Sequence, residues 1–78
     1  MDNILTLDKL DVGQTAYIIK INTCGDMRRR FIDLGLIENT EVTCVGKSPA
    51  GDPKAFLIRG AVIAIRREDS SGILARLN

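Results

Sequence analysis

Arg28, Arg29 and Arg30 form the only run of three like charges in the sequence. Adjacent guanidiniums suit phosphate, and so invite an RNA reading. The flanking residues argue for a helix, because Met27, Phe31 and Leu34 repeat at i, i+4 and i+7. Asp26 is placed to cap its start, and Gly35 stands where a helix commonly stops. On a helix successive residues turn by about 100°, which fans the three charges out. Arg28 and Arg30 then flank the apolar face, with their stems along the core and their heads in water. Arg29 lies opposite, beside Asp33 at i, i+4, in the less favourable order. Cations in a first helical turn oppose the helix dipole by roughly 0.3–1 kcal/mol at exposed sites. Two readings stay open: a partner contact, or a tolerated local cost.

Other chemistry is thin. Gly46-Lys47-Ser48 matches the end of a phosphate-binding loop, but the motif needs a glycine where Glu41 stands. It also needs a following helix, and Pro49-Ala50-Gly51 is turn chemistry. Cys24, Asp26 and Met27 are neighbours and Cys44 is remote, with no paired cysteine spacing and no histidine in the chain. We therefore expect no metal site and no cofactor. Ser48, Ser70 and Ser71 have no base to activate them, so a nucleophilic enzyme is not expected. The two cysteines exclude a disulfide-rich scaffold and suit free thiols, with Cys44 buried.

The elements that must position these residues are short. Seventy-eight residues, 45% hydrophobic and 27% charged, allow one small domain over 1–78. Eleven basic against ten acidic residues are too balanced for a protein that coats nucleic acid. The charge is uneven, however. Lys47, Lys54, Arg59, Arg66 and Arg67 face the single acid Asp52 between Val42 and Arg67, whereas Met1–Glu41 has an excess of acids. Only Tyr17, Phe31 and Phe56 are aromatic, which leaves few platforms for bases. The N-terminus has neither a basic region nor a long apolar run, so a cytoplasmic location is expected.

Five runs read as strands: Thr15–Ile21, Thr40–Val45, Ala55–Arg59, Val62–Arg66 and Ile73–Leu77. In the first, alternation puts Tyr17, Ile19 and Ile21 on one face. Thr6–Leu10 reads as a capped single turn with Leu7 and Leu10 pointing inward. The expected core is Tyr17 or Ile18, Ile19, Phe31, Leu34, Val42, Cys44, Phe56, Ile58, Ile63 and Ile65. So few residues cannot build two stacked sheets of normal size, and a small, strongly bent barrel is the economical solution.

The order of these segments resembles the FeoA family, ferrous iron transport protein A, from Leu7 to Leu77. The most specific stretch is Met27-Arg28-Arg29-Arg30-Phe31-Ile32-Asp33-Leu34-Gly35-Leu36, similar to that family's arginine-rich short helix. Asn39-Thr40-Glu41-Val42, Ser48-Pro49-Ala50-Gly51-Asp52-Pro53, Arg59-Gly60 and Ala64-Ile65-Arg66 follow in the family's order. The chain has Glu38-Asn39 where the family often has Pro-Gly, and asparagine also accepts left-handed geometry. Ala61 stands where the family has a tyrosine-like position. The resemblance implies an all-β, SH3-like barrel of about five strands with one short helix inserted after the first strand. It further implies a small accessory protein of ferrous iron uptake, docking on the cytoplasmic G-protein domain of the FeoB membrane transporter. The same barrel is appended to iron-dependent repressors, but this chain has no helix-turn-helix.

The candidate contact surface is the helix and its exit: Arg28, Arg29, Arg30, Leu36 and Ile37. Arginine beside apolar residues is common interface material. Leu36 has a second reading, as the apolar contact that closes a helix C-terminus. The alternative function is an RNA-binding SH3-like domain of the translation-protein type. Exposed barrel edges would also allow a weak homo-oligomer.

Overall fold

In the computed structural model, which describes residues 3–78, the β-branched runs form strands and the arginine run forms a helix. Strand β1 (Ile4–Thr6) leads into a single 3-10 turn (Leu7–Lys9). Then follow β2 (Thr15–Ile21), α1 (Gly25–Asp33), β3 (Glu41–Lys47), β4 (Lys54–Ile58), β5 (Ala61–Ile65), α2 (Arg67–Ser70) and β6 (Ile73–Leu77). The strands make one antiparallel sheet in the order β1-β6-β2-β3-β4-β5. Among the described residues β1 and β5 do not pair, so the sheet does not close into a complete barrel.

The sheet has six strands rather than five. β1 was missed because three residues carry no periodicity; it is held by β6, with Leu5 opposite Ala75. The Leu77 N–H also donates to the Asn3 carbonyl at 2.7 Å. The helix still follows Thr15–Ile21, which is the second strand once β1 is counted. α2, four residues long, was likewise below the reach of pattern reading.

Two bulges reset the alternation. On β2, Ile18 faces Ala75 and Lys20 faces Leu74, which leaves Ile19 as the extra residue. Ala16 and Ile18 therefore point inward before the bulge and Ile21 after it, while Tyr17 and Ile19 are half-buried. This corrects the expectation that Tyr17, Ile19 and Ile21 share the inner face. On β3, Val45 is the extra residue between Cys44 and Gly46, and it is exposed.

The core gathers Ile18, Phe31, Val42, Cys44, Phe56, Ile58 and Ile65 as expected, together with Leu7, Leu10, Ala16, Ile21, Leu36, Ile73 and Ala75. Ile63 packs partly buried against it. Full burial of a large side chain such as Phe56 contributes roughly 1.5–3 kcal/mol. Leu34 was expected inside and is 38% exposed. The helix ends before it, and the chain turns at Gly35, so the third apolar position of the stripe is met by Leu36 instead.

Candidate functional site: a groove beside the helix

The site is built on the way α1 begins and ends. Cys24, not Asp26, precedes the first helical residue, and its side chain makes no capping bond. Asp26 sits inside the first turn, where a carboxylate complements the helix dipole. Arg28, two residues later, is held: its Nη1 donates to the Ile21 carbonyl at the end of β2, at 2.8 Å. That bond ties the helix to the strand before it. It also explains a cation in an electrostatically unfavourable turn.

The C-terminus closes with paired backbone bonds. Gly35, at φ +96°, donates its N–H to Ile32 O at 2.9 Å, and Leu36 N–H donates to Phe31 O at 2.9 Å. These are the two bonds of a Schellman motif, and its apolar contact joins Leu36 to Phe31 within the core. The Gly35 carbonyl accepts from Thr40 Oγ1 at 2.9 Å and from Arg59 Nε at 3.2 Å. Thr40 Oγ1 in turn accepts the Ile37 N–H at 3.2 Å. Asn39, at φ +72°, donates its N–H to Ile18 O at 2.7 Å. The loop from Gly35 to Thr40 is thereby fixed at both ends, with Ile37 turned outward.

Between α1, β2 and this loop lies a groove of about 290 Å³. Ile18, Ile21 and Leu36 lie beneath it, all buried. Its apolar walls are Ile32, 42% exposed, and Ile37, 49% exposed. Lys20, Arg28 and Glu38 form the rim.

Of the five candidate contact residues, the structure brings Arg28, Leu36 and Ile37 together here. Leu36 is fully buried, so it supports the floor rather than offering a contact; its reading as the helix closure is the one the geometry bears out. Arg29 is exposed and lines no part of the groove. Arg30 borders a second groove, against β5, with Met27, Leu34 and Ile63. Ile32, Lys20 and Glu38 were missed. Ile32 was accessible to reasoning, because it lies four residues beyond Arg28 and so on the same helical face. Lys20 and Glu38 arrive through strand pairing and the loop, which spacing does not reveal.

The remaining polar candidates are spent on structure. Ser48 Oγ donates to Asp52 O at 2.7 Å, inside the turn that replaces any phosphate loop. Ser70 is buried and its Oγ donates to Arg66 O at 3.1 Å. Both cysteines are free, Cys24 exposed and Cys44 buried. Among the described residues no three Cys, Asp or Glu side chains converge as metal ligands. Two cations of the basic segment are drawn into structure, while Arg66 and Arg67 stay exposed along one groove. Lys54 Nζ donates to the Asp8 and Leu10 carbonyls, each at 2.8 Å. Arg59 lies over Gly35. Phe31 and Phe56 are buried, and Tyr17 is half-buried with its hydroxyl donating to Glu41 at 3.3 Å.

Comparison with known proteins agrees with this architecture. A family model described as the FeoA domain matches residues 5–77. A fusion of Fe(2+) transport protein A with the Fe(2+) transporter FeoB, from Porphyromonas gingivalis, is 29% identical over 73 residues. The match covers 94% of this chain but spans only 9% of that relative's length. The solution structure of the FeoA protein from Chlorobium tepidum superposes with a TM-score of 0.88 at 27% identity, covering 94% of this chain and 70% of that one. FeoA from Stenotrophomonas maltophilia, solved with zinc and described as a prokaryotic SH3-domain protein, gives a TM-score of 0.82 at 23% identity. That superposition covers 91% of this chain and 88% of the other. The bent antiparallel sheet, the helix between β2 and β3, and the matched family model together establish that this chain belongs to the FeoA family and has its SH3-like fold.

Proposed function

We propose that this protein is a non-enzymatic cytoplasmic accessory of ferrous iron uptake that docks on the cytoplasmic region of a FeoB-type transporter. The observation that carries the reading is the relative in which an FeoA sequence and FeoB share one polypeptide. Fusion places the two at high effective concentration, which is useful only to surfaces that meet. On this chain the groove beside α1 supplies such a surface. Its apolar walls, Ile32 and Ile37, sit next to Arg28, whose guanidinium is already oriented by the Ile21 carbonyl. Preorganised arginine beside exposed aliphatic side chains loses little freedom on binding. Arg29 and Arg30 lie outside this groove, Arg30 on the second one, and are expected to tune association rate more than affinity. No helix of the described residues is long and apolar enough to cross a membrane, so contact with the bilayer would come through the transporter.

The test is co-purification with the transporter's cytoplasmic G-protein domain. An Arg28→Glu, Ile37→Asp double variant that stays folded should lose association by at least about tenfold, as central contacts do. Undiminished binding would remove the groove from the reading. Absence of binding by the unaltered chain would remove the partner.

A further inference from the structure

The hydrogen-bond parity of the sheet fixes which way every backbone group of β5 points. Cys44 N–H donates to Gln14 O and Gly13 N–H donates to Cys44 O, so Cys44 and Val42 face β2. Thr43 then faces β4 and pairs with Leu57. Phe56 and Ile58 must face β5, where their partners are Ile63 and Ala61. The tight turn agrees: Arg59 and Gly60, at φ +49° and +84°, make a two-residue hairpin whose flanking pair, Ile58 and Ala61, is hydrogen-bonded. The N–H and C=O groups of Val62 and Ala64 therefore point away from the sheet. Among the described residues nothing bonds them.

An edge strand of this kind normally carries a charge, a proline or a bulge that blocks further pairing. Ala61-Val62-Ile63-Ala64-Ile65 has none of these. Val62 is 64% exposed, and its neighbour across β4, Leu57, is 38% exposed.

We propose that β5 is the interface of a symmetric dimer, in which it pairs antiparallel with the β5 of a second copy about a two-fold axis at Ile63. In that register Val62 of each chain lies opposite Ala64 of the other. All four outward groups on each strand are then satisfied at once, which is the self-complementarity a two-fold interface requires. The strand is uncharged, so no like charges meet across its pairs. The two Ile63 side chains meet on the inner face, beside the groove of about 190 Å³ walled by Met27, Leu34 and Ile63. This gives the exposed Leu34 an apolar neighbour. The contact is short and falls below the roughly 1,200 Å² of total surface that stable complexes bury, so the dimer is weak and concentration-dependent.

The test is sedimentation equilibrium of the full chain up to about 1 mM, where a dissociation constant of similar size leaves a large dimer fraction. The mass should rise from monomer to dimer. Amide exchange at Val62 and Ala64 should slow with concentration, while Ile63 is protected throughout by β4. Ala64→Pro removes only an outward N–H, a change that edge strands accept. It should weaken association by about tenfold or more, as two of the four bonds between the strands are lost. Val62→Lys, which leaves the backbone intact, should do the same and stands in if the proline variant does not fold. A monomer at every concentration would overturn the proposal. So would a dimer unaffected by either variant, or growth beyond the dimer, which would mean head-to-tail pairing of β5 with β1.

Discussion

Gly35 is the residue on which the candidate site turns, because it stops α1 and aims the loop that carries Ile37. Its φ of +96° is left-handed, and a Cβ there would lie 2.4 Å from Arg59 Cδ. Gly35→Ala should therefore destabilise by about 1–3 kcal/mol from backbone strain alone. The measurement is thermal unfolding, with a fall in Tm on the order of 10 °C. Two residues away the outcome divides sharply. Leu36→Asp buries a charge in the core and should unfold the chain, a loss above about 4 kcal/mol. Ile37→Asp, at an exposed position, should change stability by no more than about 0.5 kcal/mol. Urea unfolding of the pair checks both. The cysteines part in the same way. Cys24, exposed before α1, should alkylate in the native protein, and Cys44 only after unfolding; mass spectrometry of the labelled chain tells them apart.

Elements show which parts of this reading were legible. The α1 stripe and its glycine stop could be read because helix termini have chemical signatures: Phe31 is buried and Gly35 terminates the helix. The same rules offered an inward Leu36 as one of its two readings, since the residue after a Schellman glycine packs back on the helix. The bulges could not be read, because an inserted residue such as Ile19 looks like any other β-branched position until its partner strand is known. Lys54 is the other case. It was counted only as one cation of the basic segment, yet it fastens β4 to the 3-10 turn through the Asp8 and Leu10 carbonyls. That contact joins residues far apart in sequence, where no local pattern extends. Lys54→Met keeps the stem and removes both donors, leaving two carbonyls without their protein partner. We expect a loss of about 1–3 kcal/mol, read by urea unfolding.

At the scale of the whole molecule, the decisive property is how the fold distributes charge. The sequence concentrates cations twice, at Arg28–Arg30 and from Lys47 to Arg67, and either cluster could have been a phosphate-binding strip. The fold draws members out of both. Arg28 turns to the Ile21 carbonyl, Arg30 to the groove along β5, Lys54 inward, and Arg59 over Gly35. Arg30 and Arg66 line one groove and Arg66 and Arg67 another, so a strand of RNA would meet about three neighbouring cations rather than five. Counterion release then sets the salt dependence: three neutralised phosphates on a single strand give a slope of about −2.1 in log affinity against log salt. Between about 50 and 200 mM salt the affinity would fall roughly twentyfold. Fluorescence anisotropy with a generic single-stranded RNA should therefore show weak binding with a shallow slope. A slope of about −4 or steeper would require about six phosphate contacts, twice what these three arginines supply.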